Sequence, residues 1–381
     1  MIPVNEPLLG EEELANVIDC VKSGWISSAG KYIDEFERAW AQECGVRHGV
    51  AVCNGTTALQ IAVEALDLMP GDEVIMPTFT IVSCALAVVK AGLVPVLVDS
   101  DPDTWGMRVD DLARHLTPRT RAIMPVHMYG HPVDMDPLLD FARANKLRVI
   151  EDAAEVHGAE YLSGRGTPTA KWKRCGGMSD LATFSFYANK LITTGEGGMV
   201  VTDDDQLAER LRSLRNLCFR PPRRFFHTQL GYNFRMTNIQ AALGVAQTKR
   251  LGEIVERKRD IAHRYTERLS KLEWISLPQE KDWARNVFWI YGMVICDGVK
   301  LDAESLAQRL KSLGIETRPF FLGMHEQPVF HDMGLFKDSA GKFPVSERIA
   351  RRGLYVPSGL AMTNEQITRV CDAMEKISDE L

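Results

Sequence analysis

At 381 residues, 45% hydrophobic and 25% charged, the chain has core enough for a globular enzyme, in two domains more readily than one. A net charge of −6 with no long basic run argues against a nucleic-acid partner; the densest cationic cluster, Arg220 to Arg224, reads as a loop pairing with its surroundings. The eight scattered cysteines contain no CxxC pair and suit reduced thiols in a cytoplasmic protein. No secretion signal is visible at the N-terminus, and the longest apolar run, "IVSCALAVV" from Ile81, is too short for a bilayer, so no membrane partner is expected.

After an N-terminal helical segment, short β-branched runs alternate with amphipathic helical patterns. "HGVAVC" precedes "TTALQIAVEALDL", "DEVIMP" precedes "TIVSCALAVVKAG", and "VPVLVD" precedes a predicted helix "VDDLARHL". "RAIMPVHMYG" precedes "MDPLLDFARANK", and "RVIEDAA" closes the series. This rhythm predicts βαβ units, a mostly parallel sheet and helices on both faces. "ATFSFY" and "GGMVVTD" are two further strands with only a turn between them, and such a break in the alternation is a place to look for a site. From Asn238 one long helical run follows, with a bend expected at Gly244 or Gly252; beyond it the pattern is that of a smaller α+β domain. The expected division is a large domain over 1–250 and a small C-terminal domain over 251–381, α/β overall.

Three stretches carry chemistry. "CNGTTALQ" runs from a strand through Asn-Gly-Thr-Thr into a helix: Gly55 permits a tight turn, Thr56 and Thr57 supply hydroxyls, and the helix start offers N–H groups to a phosphate. A plain N-cap would also account for it. "RVIEDAAEVHG" ends a strand in Glu151-Asp152, where doubly wound sheets place ligands; a helix N-cap at Asp152 is the bland alternative, though it leaves two consecutive acids unexplained. In "FSFYANKLITTGEGGMV", Lys190 lies between apolar runs, where desolvation lowers a lysine pKa by ~3 units or more and makes the amine a nucleophile for a Schiff base. Phosphate turn, Asp and Lys at successive strand ends together suit pyridoxal 5′-phosphate, whose phosphate, ring nitrogen and aldehyde need those three partners. The histidines show no metal-ligand spacing, so no metal is expected.

With these motifs joined by "SGWISSAGKYIDEFE", "GDEVIMPTFT", "PVHMYG", "GYNFRMTNIQAA" and "RPFFLGMHEQPVF", the chain resembles, over essentially its whole length, the DegT/DnrJ/EryC1/StrS family of nucleotide-sugar aminotransferases. The resemblance implies the type I, aspartate aminotransferase-like fold: a large domain with a mostly parallel mixed sheet and a small C-terminal α+β domain. It implies that Lys190 binds the cofactor and shuttles the proton, that Asp152 meets the pyridine nitrogen, and that Glu155 lies near the ring hydroxyl. Gly55, Thr56 and Ser185 match phosphate contacts. Asn233 matches an asparagine reaching the neighbouring subunit's phosphate, which implies a homodimer. Trp25 and His325 match segments lining the sugar-nucleotide pocket.

Two departures stand out. Where many members place an aromatic over the cofactor ring this chain has Ile81, and the segment before the lysine strand is lengthened by "SGRGTPTAKWKR", which lies near the site in sequence and is expected to bear on substrate choice. The implied reaction moves an amine from L-glutamate to C4 of a 4-keto-6-deoxy sugar linked to GDP, with a UDP- or dTDP-linked ketosugar as the alternative. A sugar 3-dehydratase of the same family would carry histidine in place of Lys190, and a non-catalytic cofactor binder would not need the whole set. The arginine that reads the donor carboxylate stays open, Arg235 being one candidate.

Overall fold

The computed structural model describes residues 1–219, 223 and 225–381; Arg220, Pro221, Pro222 and Arg224 of the basic cluster lie outside the described residues. Two helices, α1 (Glu11–Ser23) and α2 (Lys31–Cys44), precede β1 (His48–Val52), α3 (Gly55–Ala65), β2 (Glu73–Pro77), α4 (Val82–Lys90), β3 (Val94–Val98), β4 (Thr120–Ile123), α5 (Met135–Ala144) and β5 (Arg148–Asp152). Then come β6 (Glu160–Ser163), β7 (Lys171–Arg174), β8 (Leu181–Ser185), β9 (Gly198–Thr202), α6 (Asp205–Arg215), α7 (Asn238–Lys249) and α8 (Leu251–Leu269). The remainder holds β10 (Ile275–Ser276), β11 (Ala284–Arg285), β12 (Tyr291–Ile295), α9 (Ala303–Ser312), β13 (Arg318–Pro319), α10 (Pro328–Asp332), α11 (Pro344–Arg352), β14 (Gly353–Val356) and α12 (Asn364–Ser378).

Seven strands form the main sheet in the order β1-β9-β8-β5-β4-β2-β3. Only β9 runs against its neighbours, so β1, β8 and β5 all end at the same edge of the sheet. The strands are largely apolar because both faces are covered, and β2 and β9 are buried at every position. From one side α3 contributes Ala58, Leu59, Ile61, Ala62, Val63 and Ala65 to that core.

A second, four-stranded sheet, β10-β12-β14-β13, packs with α8, α9 and α12 around its own apolar cluster. The first residues of the chain are stitched to this unit: Ile2 pairs with Ile315 in a parallel bridge and the Val4 N–H donates to Glu316. Among the described residues no helix is long and apolar enough to cross a membrane.

Three details differ from the pattern read in sequence. "VDDLARHL" forms a 3₁₀ turn over Val109–His115 and no α-helix, because Leu112 is its one buried residue and no apolar stripe exists to hold a longer helix down. The long C-terminal run breaks at Arg250 (φ −99°, ψ 6°), between the two glycines. Arg250 reaches back to Glu13 of α1 at 3.2 Å and fixes the corner, whereas Gly244 stays within α7 and lets it pack on the Phe36 ring, which a side chain there would meet at 2.6 Å.

The inserted segment 163–174 closes the β6–β7 hairpin and joins β11 in a three-stranded sheet. Its Ser163 and Arg165 bond to Asp136 and Asp134 at the start of α5, and none of its residues lines the cavity beside Lys190. Proximity in sequence did not become proximity in space.

Candidate active site

The common strand edge gathers four pieces of chain. β1 turns through Asn54 into α3, β5 ends in Asp152, β8 ends in Ser185, and residues 186–197 carry Lys190 before β9 begins. Between them lies a cavity of about 460 Å³, closed on the far side by Trp289, Phe321 and Tyr355 from beyond α8. Ligand sites outside the carboxyl ends of strands are what such sheets build.

The helix start is shaped for an anion. Asn54 accepts the Thr57 N–H at 2.9 Å, and the Thr57 hydroxyl donates back to the Asn54 carbonyl at 2.8 Å, so the turn caps itself. Gly55 and Thr56, at the first two helical positions, have no intrahelical acceptor for their N–H groups. Three hydroxyls, those of Thr56, Ser83 and Ser185, face the same cavity, with Thr56 and Ser83 2.8 Å apart. A Cβ on Gly55 would stand 2.7 Å from the Ser185 Cβ, so only glycine leaves the cradle open. Thr57 closes the turn from behind and does not line the cavity.

Asp152 is 2% exposed. Its Oδ2 accepts the Cys84 thiol at 3.1 Å and its Oδ1 the Ala154 N–H at 3.1 Å. Burial, and then the neighbouring Asp152 carboxylate, raise the Cys84 thiol well above its ordinary range, so it remains a donor. Glu155, 6% exposed, accepts the Tyr129 N–H through Oε2 at 2.8 Å and places Oε1 3.8 Å from Lys190 Nζ. The Lys190 side chain is only 10% exposed. Burial lowers its pKa against the pull of Glu155 and Asp152, and burial raises that of Glu155 against the pull of Lys190. The two ends of this pair are thereby brought toward each other, which suits a proton that must move.

These groups fit a phosphorylated pyridine aldehyde: an open cradle with free N–H groups, a carboxylate for the ring nitrogen and an amine of lowered proton affinity. Gly55, Thr56, Asp152, Glu155, Ser185 and Lys190 are brought together; besides Thr57, four other expected residues are not. Asn233 is exposed and bridges Asn216, Trp25 is 58% exposed, and neither lines this cavity. His325 is 3% exposed, held by Thr78 at Nδ1 (2.7 Å) and Glu347 at Nε2 (3.2 Å). Arg235 bonds to Asn216 and pairs with no carboxylate among the described residues; it too lies outside the cavity.

Sequence reasoning missed Cys84, Ser83, Trp289, Phe321 and Tyr355. Their neighbours read as ordinary helix or strand, and no local pattern singled them out.

A type I sheet with an anion-shaped helix start, a strand-end aspartate and a buried lysine on the loop after β8 is that of a pyridoxal-phosphate-dependent aminotransferase. The chain belongs to the DegT/DnrJ/EryC1/StrS aminotransferase family, whose model matches residues 7–375. It is 42% identical to GDP-perosamine synthase of Caulobacter vibrioides, over 99% of this chain and 98% of that protein. To GDP-perosamine synthase of Escherichia coli O157:H7 it is 39% identical, over 98% of each. Among solved structures, DesV of S. venezuelae is 34% identical with a TM-score of 0.88, covering 97% of this chain and 95% of that one.

Proposed function

We propose that the chain moves an amino group from L-glutamate to C4 of GDP-linked 4-keto-6-deoxymannose, giving GDP-perosamine, as a homodimer in the cytoplasm. The full-length similarity to the two synthases carries the substrate; Lys190 beside Asp152 and Glu155 carries the reaction. In this reading residues 1–250 hold the cofactor and 251–381 form the smaller unit that covers it.

Bound pyridoxal phosphate supplies the electron sink that lets a proton leave the carbon next to nitrogen. Gly55 and Thr56 N–H groups, with the Thr56 and Ser185 hydroxyls, would hold its phosphate. Asp152 would hold the proton on its ring nitrogen, and the Cys84 and Ala154 donors keep that carboxylate turned toward the ring. Lys190 Nζ takes the proton from the donor's α-carbon in the first half of the cycle and delivers one to C4 of the sugar in the second. Its lowered pKa leaves a share of neutral amine to do so. The aromatic wall of Trp289, Phe321 and Tyr355 keeps bulk water from that proton.

Homodimer formation is supported by an exposed apolar stripe, Leu14, Ile18, Val21 and Trp25, at helical spacing along and just past α1. Asn233, exposed in one chain, is free to reach a second cavity, and Trp25 lies on the same class of open surface. His325, buried between Thr78 and Glu347, would act on the sugar pocket by holding its turn in place.

GDP-, UDP- and dTDP-linked 4-keto-6-deoxy sugars offered with L-glutamate test the substrate. Preferred amination of the GDP sugar is expected; a preference for a dTDP sugar sinks the assignment. Light scattering of the purified protein should give twice the chain mass.

A further inference from the structure

The Lys190 amine has an unusual partner. Its Nζ stands 3.6 Å from the centroid of the Trp289 ring. The only carboxylate oxygen within 4 Å of it among the described residues is Glu155 Oε1, at 3.8 Å, beyond hydrogen-bond reach. Glu155 cannot easily come closer, because its other oxygen is tied to the Tyr129 N–H at 2.8 Å. The indole is equally fixed. It is 5% exposed, its Nε1 donates to the Asn189 carbonyl at 2.8 Å, and it leans on Tyr129. That hydrogen bond ties the ring to the residue immediately before the lysine, so platform and amine are registered to each other.

Resting on the reading that Lys190 is the cofactor-binding lysine, we propose that Trp289 is a positioning residue: its ring face receives the ε-ammonium whenever the lysine is released from the cofactor and sets that group's proton affinity.

The other groups facing Nζ do not do this job. From the β5 end come Asp152, Glu155 and His157, from α4 Cys84, and from across Glu155 Tyr129 and Tyr355. Burial keeps His157 neutral, its pKa lowered to about 3, and keeps Cys84, Tyr129 and Tyr355 protonated. Two carboxylates remain, neither hydrogen-bonded to the amine. A π face attracts a desolvated cation without accepting its proton. It can therefore hold the lysine between the two halves of the cycle and still let it go, which a short carboxylate bond would resist.

Lys190 is free in protein loaded with pyridoxamine 5′-phosphate. In that form its acylation by acetic anhydride is followed against pH by peptide mass spectrometry, for wild type, Trp289→Leu and Trp289→Phe. Without the ring face the amine should deprotonate more readily, making Trp289→Leu roughly tenfold more reactive on the acid limb, and Trp289→Phe about threefold. If Trp289→Leu does not fold, Trp289→Phe alone decides. A profile superimposable on wild type in the folded variants overturns the proposal. Borohydride reduction of pyridoxal-loaded wild type separates this from failure of the underlying reading: cofactor fixed to any lysine other than Lys190 rejects that reading, whatever the variants show.

Discussion

Glu151 and Asp152 are adjacent on β5 yet serve opposite faces of the sheet, as alternation along a strand requires. Asp152 faces the cavity with Cys84 and Ala154 as its donors. Glu151, wholly buried, turns away and accepts from His127 Nε2 (3.0 Å), the Gly176 and Met178 N–H groups and the Ser179 hydroxyl. His127 is fixed in that role because its Nδ1 accepts the Val133 N–H at 2.9 Å. The doublet that looked like one feature in sequence is a cavity-facing carboxylate beside a structural one.

Opposite outcomes should follow from substituting the two acids. Asp152→Asn keeps the fold and lowers turnover by about 10²–10³-fold, since the ring nitrogen loses its charge partner. Glu151→Ala strips the acceptor from four donors, His127 and Gly176 among them buried, and should destabilise by about 3–5 kcal/mol. Urea unfolding and steady-state turnover on both variants check the contrast, and a Glu151→Ala protein as stable as wild type would contradict it.

Lys190→Ala should abolish multiple turnover, a loss of at least about 10²-fold, while the phosphate cradle and Asp152 still retain cofactor. Borohydride should then fix no cofactor to the 186–197 peptide, as read by mass spectrometry. Repeated turnover by this variant would remove Lys190 from the mechanism.

Gly55→Ala probes the cradle itself. The new methyl would stand 2.7 Å from the Ser185 Cβ. The resulting crowding, of about 1–3 kcal/mol, should weaken cofactor retention roughly tenfold or more in equilibrium dialysis.

Acid should destabilise the fold through two buried histidines. Burial lowers the pKa of His157 to about 3 and of His131 to about 4, against 6.5 when exposed. The unfolded chain therefore binds protons first as pH drops below 6.5. The contribution of these groups is complete above that pH and is lost progressively toward pH 4 and 3. Glu151, whose pKa is lowered despite its burial, principally by His127, adds its own loss as pH falls through the ordinary carboxylate value of 4.5 toward its lowered one. Urea midpoints at pH 7.5, 5.5 and 4.5 should fall in that order, and His157→Phe, packed among Trp40, Phe184 and Phe186, should flatten the slope.

Much of this was legible beforehand. The alternating β-branched and amphipathic runs place every strand of the main sheet, because a strand covered on both faces must be mostly apolar and declares itself. Segments held by few apolar contacts were less readable: the Val109–His115 turn and the corner at Arg250 depend on Leu112 and on Glu13 of a distant helix.

By itself, then, the amino-acid order determined the sheet, the turn before α3, and the positions of Asp152 at a strand end and of Lys190 just past one, since each is announced by local pattern and by residues within a few positions. Tertiary structure alone decided who stands around them. Cys84 reaches Asp152 from 68 residues away, and Trp289 lies 99 positions from Lys190 (289 − 190) yet under its amine. Contacts of that kind arise from how helices and strands pack in space, and no periodicity along the chain encodes them.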